Sequence, residues 1–60
     1  MIRVLVVDDQ DLVRSGICRL LADAEQVEVV GDAASGEEAV QKARDLEPDV
    51  VLMDINMPGI

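Results

Sequence analysis

Two apolar runs, each ending on a carboxylate, limit most strongly what this chain can fold into. The first, Ile2–Val7, is rich in β-branched residues and stops at Asp8 and Asp9. The second, Val50–Met53, stops at Asp54. Short apolar runs of this kind are typical of strands that are covered on both faces, as in the centre of a parallel sheet. We therefore predict two central strands with acidic residues at their carboxyl ends.

The segment after Asp9 has the spacing of an amphipathic helix. Its apolar residues recur at intervals of three or four, which predicts one stripe facing the core. That stripe consists of Val13, Ile17, Leu20, Leu21 and Ala24. In residues 27–30 the apolar side chains nearly alternate with polar ones, and this pattern predicts a weaker strand suited to the edge of a sheet.

A capping-box sequence at Ser35 predicts the start of a second helix. The Ser35 hydroxyl and the Glu38 carboxylate can each accept a hydrogen bond from a backbone amide there. Glu38 and Lys42 are spaced for an ion pair along the helix, and Pro48 marks its end. The predicted inward stripe is Ala39, Val40, Ala43 and Leu46.

The order of elements is strand, helix, strand, helix, strand, which predicts parallel strands joined by right-handed crossovers. With the weak second strand at the edge, the strand order is 2-1-3. This is the start of a flavodoxin-like, doubly wound α/β sheet. Such sheets bind ligands where the strand order reverses, here between the first and third strands. We therefore expect Asp8, Asp9 and Asp54 to converge in one crevice.

Three carboxylates in one crevice repel one another unless a cation lies between them. Mg²⁺ takes one or two carboxylates together with waters and phosphate oxygens. A carboxylate beside Mg²⁺ can also attack phosphorus and form an aspartyl phosphate. The pattern thus favours Mg²⁺-dependent phosphoryl capture on an aspartate. The purely structural alternative is that Asp9 caps the first helix and Asp54 forms a turn.

The composition argues against several other functions. A formal net charge of −8 disfavours binding of nucleic acid or an anionic membrane by this segment itself. Cys18 is the single cysteine and there is no histidine, so we predict neither an internal disulfide nor a zinc site. No stretch has the pattern of a signal peptide or a membrane span. We expect a soluble, cytoplasmic chain.

Two stretches resemble the receiver domain of two-component response regulators. They are Leu5-Val6-Val7-Asp8-Asp9 and Asp54-Ile55-Asn56-Met57-Pro58-Gly59. Residues 7–16 and 30–33 are similar to the NarL/FixJ group, most of all to its GacA/UvrY-like members. The resemblance covers all 60 residues. Because receivers are about twice as long, residues 1–60 are interpreted as the N-terminal half of a receiver, without strands four and five, the switch Ser/Thr and the phosphate-binding Lys.

The resemblance implies a role for each matching residue. Asp54 would be the phosphoacceptor and Asp9 a direct Mg²⁺ ligand. Asp8 would assist directly or through water, and the backbone carbonyl of Asn56 would also bind the metal. The phosphodonor would be a sensor histidine kinase or a small donor such as acetyl phosphate, and the transfer would be self-catalysed rather than enzymatic turnover. The output in this group is transcription control through a C-terminal DNA-binding domain, which these residues lack.

Parts of the pattern also fit two other functions, and the third strand predicts self-association. A haloacid dehalogenase-type phosphohydrolase also uses an aspartate at a strand end, but it needs an acid/base Asp where this chain has Asn56. A receiver-like interaction module without phosphorylation would have lost the acids, and Asp8, Asp9 and Asp54 are all present. Because the third strand would lack an outer neighbour, we also expect self-association, most simply as a two-fold dimer.

Overall fold

The computed structural model describes residues 1–53, which form a three-stranded parallel sheet with two helices. The elements are β1 (Ile2–Val7), α1 (Asp11–Ala22), β2 (Val27–Ala33), α2 (Gly36–Leu46) and β3 (Val50–Met53). The strand order is β2-β1-β3, which confirms the predicted topology. The connection through α1 runs from β1 to β2, and the connection through α2 runs in the opposite direction, from β2 past β1 to β3. Right-handed crossovers in opposite directions place the two helices on opposite faces of the sheet. The turn predicted at residues 56–59 lies outside the described residues.

β1 is the centre of the core. It pairs with a strand on each side, and both helices contact it. Leu5 and Val6 are completely buried, and Val4 and Val7 are almost completely buried. On one face Leu5 packs with Ala33 of β2 and Ala39 of α2, whose small side chains let the helix approach the sheet.

The pairing of β1 with β2 shifts by one residue at Val30. Val4 pairs with Val29, whereas Leu5 pairs with Gly31. A Cβ added at Gly31 would lie 2.8 Å from Cδ1 of Leu46, so the absence of a side chain there leaves room for α2. β2 continues two residues beyond this glycine and is longer than its sequence pattern predicts.

The face that α1 presents to the sheet agrees only in part with the predicted one. Val13 and Leu20 are exposed, whereas the Arg14 side chain is only 15% exposed. The partly buried residues of the helix are Arg14, Ile17, Cys18 and Leu21. The prediction is confirmed for Ile17 and Leu21. It was wrong for Val13, Leu20 and Ala24, which are exposed, and it placed the cation Arg14 off the buried stripe.

The ends of α2 agree with the sequence. Ser35 Oγ accepts a hydrogen bond from the Glu38 amide at 3.2 Å, which confirms the helix cap. The Glu38 carboxylate accepts from the Ala34 amide at 2.6 Å, one residue before the Ser35 amide that a standard capping box would use. Glu47, with φ of 49°, ends the helix immediately before Pro48.

Two predicted features of the α2 surface are not found. Val40 is exposed, although Ala39, next to it in the sequence, is buried. Lys42 donates to the backbone carbonyl of Asp32 and makes no ion pair with Glu38 among the residues that the structure describes. Lys42 thus lies at the flank of the packed face of α2, where its ammonium group can reach an acceptor on the sheet. Neither α1 nor α2 is long and apolar enough to cross a membrane.

β3 is an edge strand. Each of its four residues is 39–41% exposed, so the covering on both faces that was predicted for it is not realised. Within residues 1–53 it pairs with β1 alone. Its start is fixed by Asp49, whose amide donates to the Arg3 carbonyl at 2.8 Å and whose carboxylate accepts from the Arg3 amide at 2.9 Å.

Candidate functional site

The carboxyl ends of β1 and β3 lie side by side. Val7, the last residue of β1, pairs with Met53, the last residue of β3. Asp8 follows Val7 in the sequence and Asp54 follows Met53. The described structure therefore contains Asp8 and Asp9 of the predicted site, whereas Asp54 and Asn56 lie outside it.

Asp8 is buried, with 6% of its surface exposed, and several hydrogen bonds fix it. Its amide donates to the Ala33 carbonyl on β2 at 3.1 Å. Its Oδ1 accepts from the Gln10 amide at 2.9 Å. Its backbone carbonyl accepts from Arg14 Nη1 at 2.8 Å. Both the backbone and the carboxylate of Asp8 are therefore held in one orientation next to the N-terminus of α1.

Asp9 differs from Asp8 in being exposed. The N-cap of α1 is Gln10, and no side chain makes a capping hydrogen bond there. The structural alternative for Asp9, capping of the first helix, is therefore not found. Over residues 1–53 there is no group of three or more His, Cys, Asp and Glu side chains that could hold a metal ion. A metal site at this edge of the sheet would therefore also need Asp54 or Asn56, the predicted ligands that lie outside residues 1–53.

Arg14 is the residue of this region that the sequence analysis missed. Besides the Asp8 carbonyl, its guanidinium contacts Asp11 through Nη2 at 2.6 Å and Asp32 through Nε at 3.1 Å. The hydrogen bond that Arg14 donates to Asp11 raises the pKa of Arg14 most; burial opposes this rise, and the hydrogen bond donated to Asp32 adds to it. The side chain is a permanent cation that joins α1, β2 and the end of β1.

A cleft of about 360 Å³ opens beside Asp8. It is lined by Val7, Asp8, Ile17, Leu52 and Met53. The walls are apolar apart from the one carboxylate, and electrostatic interactions are stronger beside such walls than in bulk water. The cleft thus lies between α1 and β3, at the edge of the sheet where ligands of doubly wound folds bind.

Cys18 faces the sheet on α1 and is partly buried. Burial raises the pKa of its thiol, and the negative charge of Asp32 raises that pKa further. A thiol with a raised pKa is mostly protonated at neutral pH and therefore a poor nucleophile. Cys18 is a packing residue in this structure.

Comparison with known proteins identifies the family. The family model of the response regulator receiver domain matches residues 4–60. Over all 60 residues the chain is 70% identical to response regulator GacA of Pseudomonas viridiflava and 57% identical to response regulator UvrY of Escherichia coli K12. It spans 28% of the length of each of these two relatives.

Solved structures agree with this assignment. The response regulator domain of Thermotoga maritima CheB superposes with a TM-score of 0.92 at 47% identity, covering 100% of this chain and 45% of that one. The signal receiver domain of a putative response regulator NarL from Mycobacterium tuberculosis gives 0.91 at 42% identity, with 98% and 48% covered. The arrangement of three strands and two helices described above is thus shared with these receiver domains. The chain belongs to the response regulator receiver domain family.

Proposed function

We propose that this chain carries the phosphoryl-accepting site of a two-component response regulator. Asp54 is the proposed acceptor. The proposed Mg²⁺ ligands are Asp8, Asp9, Asp54 and the backbone carbonyl of Asn56. The observation that carries the proposal is the register of Val7 with Met53, because it brings the end of β3, which Asp54 follows, beside the buried Asp8.

The residues at this edge fit Mg²⁺ chemically. Mg²⁺ prefers hard oxygen ligands and keeps several waters, so it needs few protein groups. One oxygen of Asp8 is occupied by the Gln10 amide, and within residues 1–53 no hydrogen bond reaches the other. Asp9 is exposed and accessible to a hydrated cation. When bound, the ion would neutralise the phosphoryl oxygens and allow two anions to meet.

The proposed reaction is a displacement at phosphorus. A carboxylate oxygen of Asp54 forms a bond to phosphorus while the bond from phosphorus to the donor's leaving group breaks. The donor is a sensor histidine kinase or a small phosphodonor such as acetyl phosphate. The protein accepts one phosphoryl group by its own chemistry and is modified by it, so the transfer is not enzymatic turnover. Membership of the receiver family favours this reaction over a phosphohydrolase.

The wider regulatory role is part of the same proposal. The output is transcription control through DNA binding, in the cytoplasm, by a separate domain of a full-length regulator. The net charge of −8 disfavours DNA binding by this segment itself, because a strongly acidic surface repels the phosphate backbone, and the proposal therefore assigns DNA binding to the separate domain.

Asp9→Ala should weaken Mg²⁺ binding more than any other single replacement among the described residues, by more than about tenfold. The reason is that Asp9 is the proposed direct ligand. The chain has no Phe, Tyr or Trp, so binding is followed by calorimetry or by amide chemical shifts rather than fluorescence. Asp45→Ala, an exposed position on α2, is the matched control for the lost charge. Equal affinity of Asp9→Ala and the parent would show that the ligand is misassigned.

We also propose that the chain self-associates through β3. The strand is apolar, all four of its residues are 39–41% exposed, and its described pairing is with β1 alone. Unpaired backbone groups on such an edge can pair with a second copy. A two-fold axis perpendicular to the sheet would set two β3 strands antiparallel and join two three-stranded sheets into a sheet of six.

Sedimentation should therefore give a dimer whose stability rises with salt, because each chain carries a charge of −8 and screening reduces the repulsion. Leu52→Lys should favour the monomer by placing a charge on the edge strand. Leu12→Lys is the control, since Leu12 is 87% exposed and belongs to α1 rather than to β3. A folded monomer at every protein and salt concentration would exclude this assembly.

A further inference from the structure

We propose that Arg14 is a positioning residue for the Mg²⁺ site and acts through the backbone of Asp8. This inference rests on the proposed function above. The guanidinium of Arg14 donates to the Asp8 carbonyl at 2.8 Å and to the Asp32 carboxylate at 3.1 Å. It therefore joins the end of β1 to β2 from a position on α1.

The carbonyl that Arg14 binds belongs to the peptide between Asp8 and Asp9. A peptide unit is planar, so a hydrogen bond to its oxygen fixes the orientation of the whole unit. The Asp8 amide is already held by Ala33, and the Asp8 carboxylate by the Gln10 amide. Arg14 holds the carbonyl oxygen of the peptide that joins the two proposed ligands, and so helps to set the direction in which each carboxylate leaves the chain.

The three contacts of Arg14 do not have equal weight. Asp11 is 85% exposed, so its ion pair with Arg14 is screened by solvent. Asp32 is 48% exposed, and the Arg14 side chain itself only 15%. The contacts that connect separate elements, to the Asp8 carbonyl and to Asp32, are therefore the ones that hold the loop. A planar guanidinium can make both at once.

Positioning and charge make opposite predictions for Mg²⁺ affinity. A positive charge near a cation site opposes binding, and its removal would leave Asp11 and Asp32 without their partner. Electrostatics alone therefore predicts that a neutral residue at position 14 tightens Mg²⁺ binding. If Arg14 orients the Asp8–Asp9 peptide, the same replacement must weaken binding.

The test is Mg²⁺ titration of the parent, Arg14→Met and Arg14→Lys. Methionine keeps an apolar stem in the packed position but removes all three contacts, and it should weaken binding about tenfold. Lysine keeps the charge and loses the planar fork, so it should also bind Mg²⁺ more weakly than the parent. Arg19→Met makes the same change at an exposed position of α1 and should leave the affinity unchanged. Far-UV circular dichroism reports the folded fraction of each variant.

Either of two results with the Arg14 variants would overturn the proposal. Arg14→Met binding as tightly as the parent, or more tightly, would show that charge outweighs positioning. Arg14→Lys at parental affinity would show that the planar fork is not needed, and this variant decides the matter if Arg14→Met does not fold. A parent that binds no Mg²⁺ overturns the proposed site and this inference together. Weakening by Asp9→Ala without weakening by Arg14→Met overturns this inference alone.

Discussion

Asp54→Asn should abolish phosphoryl incorporation from acetyl phosphate in a response regulator that contains this sequence at the length of its relatives. An amide is not a nucleophile toward phosphorus, so the loss should be complete rather than partial. Labelling of the unmodified protein should require Mg²⁺. Asp45→Asn, at an exposed position on α2, should label normally. Label that persists in Asp54→Asn would place the acceptor at another residue.

The 60-residue chain itself should label weakly or not at all. Transfer needs positive groups around the phosphoryl oxygens. The single lysine of the sequence, Lys42, donates to the Asp32 carbonyl on β2, so it is engaged on the side of β1 opposite β3.

Leu5→Ala should remove a large part of the chain's stability. Leu5 is 0% exposed and belongs to the core cluster on β1. Such a replacement typically costs about 2–5 kcal/mol, whereas the free energy of unfolding of a domain this small is roughly 3–9 kcal/mol. Urea denaturation followed by circular dichroism measures the loss. Leu12→Ala, at a side chain that is 87% exposed, should change stability by less than about 0.5 kcal/mol. Equal stability of the two variants would contradict the central position of β1.

The topology was predictable because it depends on patterns that are local in sequence. β1 was recognisable as a buried strand from its apolar run, and α2 from the cap at Ser35. The order β2-β1-β3 followed from residues 27–30, whose nearly alternating pattern indicated a weak strand at the sheet edge, and from the handedness of crossovers. The acidic end of β1 was also predictable, since carboxyl ends of parallel strands are the binding edge of such sheets.

The inward face of α1 was predicted only in part, because the periodicity was read from apolar residues alone. Arg14, Ile17, Cys18 and Leu21 form a stripe at helical spacing. The guanidinium is tolerated there since Asp8 and Asp32 supply acceptors from elsewhere in the fold. A cation at the first position of an otherwise apolar stripe, one turn after an acidic strand end, was the available signal.

The exposure of β3 was not set by its own residues. Its sequence is that of a covered strand, but covering depends on neighbours on both sides, and in residues 1–53 there is one. The same reason applies to Val13 and Leu20 on α1, which are apolar and exposed. Periodicity indicates which residues can be buried, whereas the assembled neighbours decide which of them are.

The most direct test of the proposed site is the location of the phosphoryl group after reaction with acetyl phosphate, determined by tandem mass spectrometry of the longer regulator. Cleavage after Arg44 yields one peptide that carries Asp45, Asp49 and Asp54 together, so fragmentation within this peptide must separate them. We predict one phosphoryl group on Asp54 when Mg²⁺ is present and none when it is chelated. A phosphoryl group on another residue, or equal labelling of Asp54 without Mg²⁺, would contradict the proposed function.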